Sequence, residues 1–168
     1  MKAIDLTHII TEDMPVYPGT EPPKLTPANS YEKDGFKETL LSLYTHTGTH
    51  IDPPAHIFPD GRTLDEFPPE QFIGNALVID CRGIKAGGAI TLSHIERYGE
   101  KAGKADFLLF NLGWDRLWGT EAYFGDYPCL DDAALGLIIG GGYKGIGFDV
   151  IGLDPISDVN LTRHRRLF

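Results

Sequence analysis

Apolar positions along this chain fall into short blocks parted by turn-forming residues, and the spacing within each block assigns it to strand or helix. Residues 3–10 read as a short first strand. Pro15, Pro18, Pro22, Pro23 and Pro27 then impose an extended loop, since each fixes φ and removes a backbone donor. Residues 36–44 read as a second strand. The continuous apolar run at 76–81 (Ala-Leu-Val-Ile-Asp-Cys) suits a buried strand, and 106–112, with Phe-Leu-Leu-Phe inside it, suits another. Between them, Ser93 and Glu96 have capping-box spacing and predict a helix over 93–98. Residues 131–139 carry a helical pattern that begins with acidic residues, which favour a helix N-terminus. Gly140-Gly141-Gly142 stops that helix and 145–150 forms a last strand. The glycine triplet lacks the lysine and spacing of a phosphate loop, so a stop and turn is its reading. With no internal repeat and no domain break, the pattern predicts one α/β domain over 1–168, a mixed sheet with helices outside it.

One segment concentrates chemistry. His46-Thr47-Gly48-Thr49-His50-Ile51-Asp52-Pro53-Pro54-Ala55-His56 holds three of the six histidines and a carboxylate. Imidazole and carboxylate are the donors that zinc and manganese accept. A helix would align His46 with His50 but turn Asp52 away, and Gly48 and Pro53-Pro54 oppose a helix there. A strand gives 46, 50, 52 and 56 one parity, yet it spreads His46 and Asp52 over ~20 Å at ~3.3 Å per residue. Ligand bonds of roughly 2.0–2.2 Å cannot bridge that distance. The consistent picture is a strand end that bends at Gly48 and wraps its side chains around an ion. Satisfied core or surface histidines are the plainer alternative, which a lone His-x3-His pair would favour.

Composition narrows the partners. At 168 residues and 42% hydrophobic content the chain can fill one core. A net charge of −9 argues against nucleic acid or an anionic membrane surface as partner. Cys81 and Cys129 lack metal-type spacing and read as ordinary buried thiols of a reduced, cytoplasmic protein. Met1-Lys2 leads straight into Ala3-Ile4-Asp5-Leu6 with no signal-peptide pattern, and no run of about eighteen apolar residues is present to span a membrane.

The segment His46-x-Gly48-Thr49-His50-x-Asp52-x-Pro54-x-His56 resembles the signature of the metal-dependent cyclase/hydrolase family, which contains bacterial kynurenine formamidases and isatin hydrolases. Ile4-Asp5-Leu6-Thr7-His8 with Met14-Pro15-Val16-Tyr17-Pro18-Gly19 resembles the family's opening. Asn111-Leu112-Gly113-Trp114-Asp115 resembles its central strand end. Gly145-Ile146-Gly147-Phe148-Asp149, Leu153-Asp154-Pro155 and His164-Arg165 resemble its late strand and loop. The resemblance implies a β/β/α arrangement, with a barrel-like sheet beside helices, and a homodimer. It implies His46, His50 and Asp52 as metal ligands, His164 as a distal ligand and His56 as general acid/base. A divalent metal is implied, zinc first and manganese second, as one ion or two. Family members continue past the distal histidine to a further glutamate ligand, whereas this sequence ends at Phe168. The second position therefore calls for an unseen segment, water or a partner chain, or one metal suffices. Tyr17-Pro18 resembles a loop that approaches the substrate, and Phe58, Trp114 and Trp118 are either pocket walls or core.

The expected activity is hydrolysis of an amide or lactam in a small molecule, with N-formylkynurenine the leading family substrate. His56, past a stiffening proline pair, suits proton transfer through an imidazole of ordinary pKa near 6.5. A fourth ligand, or a residue orienting one, is its alternative role. Two other readings stand beside hydrolysis. One is a cyclase or lyase using the same ion to stabilise an enolate. The other is a non-catalytic relative that binds metal or ligand. His8 and His94 read as structural or surface residues, and Asp115 and Asp149 as structural carboxylates that cap a helix or accept from backbone donors at strand ends. Arg163, Arg165 and Arg166 read as a solvated chain end rather than an anion site.

Overall fold

Five prolines between residues 15 and 27 keep the early chain extended, and the first regular strand appears only at their end. The computed structural model describes residues 3–168. The chain divides into two units, Met1–Asp52 and Pro53–Phe168. In the first unit β1 (Lys24–Asn29) pairs antiparallel with β2 (Glu38–Ser42), with an irregularity between Pro27 and Asn29 where proline cannot donate to the ladder. A single helical turn, α1 (Tyr31–Asp34), joins them. It ends at Gly35 in the left-handed region, φ 77°, a conformation glycine adopts at little cost. The strand expected at 3–10 does not form. Ile4, Leu6 and Ile9 are 69%, 73% and 82% exposed, and the Asp5 carboxylate accepts from the amide and hydroxyl of Thr7 at 2.9 and 2.7 Å. A local side-chain acceptor has taken the place of a strand partner. Met1 and Lys2, cited above for the start of the chain, lie outside the described residues.

The second unit alternates strand and helix: β3 (Ala76–Asp80), β4 (Ala89–Ile90), α2 (Leu92–Glu96), α3 (Glu100–Gly103), β5 (Phe107–Asn111), β6 (Cys129–Leu130), α4 (Asp132–Gly140), β7 (Gly145–Phe148) and α5 (Thr162–Leu167). β3, β5 and β7 form a parallel sheet in that order, and β4 pairs parallel with β6. The α/β class holds, with parallel and antiparallel pairs in separate sheets. The described residues contain no closed barrel, because β3 and β7 are the outer strands of an open three-stranded sheet. The edge position also corrects the reading of 76–81 as a buried strand. Ile79 is fully buried while Val78 is half exposed, so β3 shows one face to solvent. In the central strand β5, Leu108 and Phe110 are buried, and the Phe110 ring stacks on that of Phe148 of β7, centroids 5.0 Å apart.

Helices α2 and α4 add Ile95, Ala134, Leu135 and Ile138 to the same core. Each fully buried leucine or isoleucine side chain contributes roughly 1.5–3 kcal/mol. Helix α4 starts where the acidic pattern placed it, with the Asp131 side chain accepting from the Ala134 amide at 2.7 Å. Helix α2 is capped by Thr91 rather than Ser93. His94 closes the box, its Nδ1 accepting from the Thr91 amide at 3.0 Å, which assigns that histidine the structural role expected. The carboxyl ends of β5 and β7 are tied by Asp149, whose two oxygens accept from the amides of Leu112 and Trp114 at 2.8 and 2.9 Å. Asp149 thus fixes the loop that follows β5. Replacing it with Ala orphans two partly buried donors and is expected to cost about 2 kcal/mol in a denaturant-unfolding measurement. An unchanged midpoint would remove Asp149 from this role.

Candidate metal centre

The segment after β2 bends as the ligand spacing requires. Gly48 sits at φ 64°, a conformation that disfavours any residue with a Cβ, and a Cβ there would approach the Met14 Cε to 3.0 Å. The turn brings His46, His50 and Asp52 together, one ligand atom from each, all within 4.8 Å of one another. Asp52 Oδ1 lies 2.5 Å from His46 Nδ1 and 3.1 Å from His50 Nε2. The two imidazoles meet edge to face, centroids 5.1 Å apart at 87°. All three side chains are roughly one-third exposed or less.

The tautomer of His50 is decided by chemistry. Its Nδ1 lies 2.8 Å from the Gly48 carbonyl oxygen, which can only accept, so Nδ1 carries a proton. In neutral imidazole Nε2 then holds a lone pair, and that lone pair faces a carboxylate oxygen at 3.1 Å. Two electron-rich atoms at this distance call for a positive charge between or upon them. A proton on Nε2 satisfies the need, and the hydrogen bond to Asp52 accordingly raises the His50 pKa above 6.5, against the opposing effect of burial. A divalent cation satisfies it equally. The donor set therefore fits zinc or manganese. Thr47, one residue past His46, is buried, and its hydroxyl has no hydrogen-bond partner among the described residues, although buried polar groups ordinarily find one.

The second unit assembles another pair. Pro54–His56 forms a 3₁₀ turn, and His56 lies with its ring centroid 5.9 Å from that of His164 on α5. His164 is buried, and its Nδ1 lies 2.6 Å from Asp154 Oδ2. The sequence pattern gives Asp154 no role beyond its place in the Leu153-Asp154-Pro155 resemblance. The available signal was an aspartate just ahead of a helix that carries a histidine.

Other candidates resolve plainly. Tyr17 and Pro18 lie in a turn closed by the Thr20 amide on the Tyr17 carbonyl at 2.9 Å, with Tyr17 part-exposed. Trp114 packs against the main core, its Nε1 donating to the Tyr123 carbonyl at 3.0 Å. Trp118 meets Tyr123 edge to face. Phe58 lies under the Arg165 guanidinium at 5.8 Å. Arg163 Nε donates to the Leu130 carbonyl, Arg165 Nε to the Asn160 carbonyl, and Arg166 pairs with Asp132, so these arginines brace α5. Burial pushes the Cys81 and Cys129 thiols up to about 11, the state of inert structural cysteines. No helix among the described residues is long and apolar enough to cross a membrane.

Comparison with known proteins gives one consistent result. A family model described as putative cyclase matches residues 4–155. A kynurenine formamidase from Geobacillus thermodenitrificans is 29% identical over 166 residues, spanning 98% of this chain and 76% of its own length. Among solved structures, isatin hydrolase A from Ralstonia solanacearum superposes with a TM-score of 0.81 at 23% identity, covering 97% of this chain and 75% of that one. A predicted metal-dependent hydrolase from Bacillus stearothermophilus superposes with a TM-score of 0.68 at 25% identity, covering 98% and 76%.

The His50 geometry sets a pH dependence for metal uptake. A cation must displace the proton on Nε2, whose pKa is raised, so zinc affinity is expected to fall on acidification from above pH 6.5, by about tenfold per pH unit for that one proton. The same raised pKa makes the His50–Asp52 contact stabilise metal-free protein below pH 6.5, an effect lost as pH rises through the folded-state value. Zinc titration at pH 5.5, 6.5 and 7.5 checks the first statement, and affinity flat across that range contradicts it.

Proposed function

The chain belongs to the putative cyclase family, and from that premise we propose that it is a metal-dependent hydrolase cleaving the C–N bond of an amide or lactam in a small molecule. The observation that carries this reading is the His46–His50–Asp52 cluster, with a lone pair and a carboxylate oxygen converging where a cation fits. The similarity to a kynurenine formamidase and the shared fold with an isatin hydrolase favour an arylformamide such as N-formylkynurenine, or a related cyclic amide, as substrate. Zinc is the first choice of ion and manganese the second, held by His46, His50 and Asp52 with His164 as a further ligand. A divalent cation bound there supplies Lewis acidity, polarising a carbonyl and making water acidic enough to act as nucleophile near neutral pH.

The chain's own residues do the rest. His56 takes a proton from the attacking water as oxygen bonds to the carbonyl carbon. When the C–N bond breaks, it returns that proton to the departing nitrogen. Such transfers through a positioned imidazole contribute about 10²–10⁴-fold. The Gly48 carbonyl orients His50 through Nδ1 and keeps that proton away from the ion-facing nitrogen. Tyr17 and Pro18 flank the substrate in this proposal. The active assembly is a homodimer of a cytoplasmic enzyme, with exposed Leu40, Leu41 and Tyr44 supplying apolar surface of the kind association covers.

The test combines substrates with one variant. Zinc-loaded protein is expected to hydrolyse N-formylkynurenine or isatin. His56→Ala is expected to lose about 10²–10⁴-fold in kcat while retaining the wild-type metal content. Turnover of neither compound, nor of simple esters, contradicts the hydrolase reading. Loss of bound metal together with activity in His56→Ala makes His56 a ligand instead of a proton carrier.

A further inference from the structure

The loop from β7 to α5 is built around one carboxylate. Asp154 is only 3% exposed. Its Oδ1 accepts from the Arg163 amide at 2.7 Å and faces the Arg163 guanidinium at 3.5 Å. Its Oδ2 accepts from the His164 amide at 3.1 Å and stands 2.6 Å from His164 Nδ1. The backbone of the same residue is pinned as well: the Tyr127 hydroxyl donates to the Asp154 carbonyl at 2.5 Å in a buried contact. Arg163 extends the brace through Nε to the Leu130 carbonyl at 2.8 Å, next to the core.

Capping alone would not require this arrangement. The first turn of α5 needs acceptors for its amides, and a side chain at the residue just before the helix ordinarily supplies one. Here that residue is Leu161, held at φ 52°, the only non-glycine residue at positive φ among the described residues. The entry backbone is unfavourable, Asp158 Oδ2 meets only the Thr162 amide, at 3.2 Å, and the Arg163 and His164 amides take their acceptor from a residue ten positions before His164. Conformational strain of this kind persists where the surroundings enforce it, and it clusters at functional sites. The distant carboxylate delivers what a local cap cannot, since the oxygen that receives the His164 amide also receives its ring.

We propose that Asp154 is a positioning residue that holds His164 as the Nδ1-protonated tautomer, so that Nε2 carries the lone pair. A carboxylate oxygen accepts, so the nitrogen 2.6 Å away donates. The ring is fixed by the same contact, with His56 at 5.9 Å between centroids. Carboxylate–histidine pairs of this form orient metal-ligating imidazoles and raise their basicity. The use made of Nε2 as a ligand rests on the function proposed above, whereas the tautomer itself does not.

The experiment is long-range ¹H–¹⁵N correlation of the imidazoles in histidine-labelled full chain at pH 8 without metal, read beside zinc affinity. The wild-type chain is expected to show His164 with a protonated Nδ1 and an unprotonated Nε2. Asp154→Ala is expected to lose that signature and to bind zinc about 10–100-fold more weakly. A wild-type His164 protonated at Nε2, or an alanine variant that keeps the Nδ1–H form, overturns the proposal. The wild-type spectrum decides even where the alanine variant does not fold. A lost tautomer with unchanged zinc affinity sustains Asp154 as the positioning residue while removing His164 from the metal site.

Discussion

An imidazole lone pair that faces a carboxylate oxygen needs a positive charge, and the 3.1 Å approach of His50 Nε2 to Asp52 Oδ1 creates that need. The Gly48 carbonyl removes the simplest escape, because it holds the ring proton on Nδ1. The left-handed bend at Gly48 lets that carbonyl and the His50 ring meet, and His46 Nδ1 approaches the same Asp52 oxygen at 2.5 Å. Backbone conformation, tautomer and donor set are therefore one constraint seen at three levels. A proton or a divalent cation satisfies it, and the Asp52 contact accordingly raises the His50 pKa against the opposing effect of burial.

The second unit uses carboxylates differently. Asp149 and Asp154 spend their oxygens on backbone amides, at 2.7–3.1 Å, and so fix the loops beyond the carboxyl ends of the parallel strands. In open parallel sheets those ends are where ligand sites gather. The core beneath them, which includes Leu108, Phe110, Leu135 and Ile138, gives those loops a rigid base. Asp154 differs from Asp149 in one respect. It also receives a ring nitrogen, which turns a backbone support into a device for presenting an imidazole.

Much of this was legible in the residues. The bend at Gly48 followed from the conflict between the ligand spacing and straight elements, and α4 followed from the acidic start and glycine stop at 131–142. The strand at 3–10 failed because an apolar pattern names a side-chain face and supplies no hydrogen-bonding neighbour, and Asp5 offered Thr7 a closer acceptor. Val78 was misjudged for a related reason: a continuous apolar run looks the same in a central strand and at an edge. The barrel implied by resemblance is a matter of closure, which short-range pattern does not encode. Asp154 was missed because its partner is ten residues away, beyond the reach of capping-box spacing, and a lone aspartate in a loop carries no sign of the ring it will orient.

The function proposed for this chain depends on the His46–His50–Asp52 cluster holding an ion. Elemental analysis of the purified full chain, read as ions per chain beside an Asp52→Asn variant, tests this most directly. At least one zinc or manganese per wild-type chain, with that ion lost from the folded variant, is the predicted result. A folded wild-type chain that retains neither metal after exposure to both, or a variant that keeps a full complement, would contradict it.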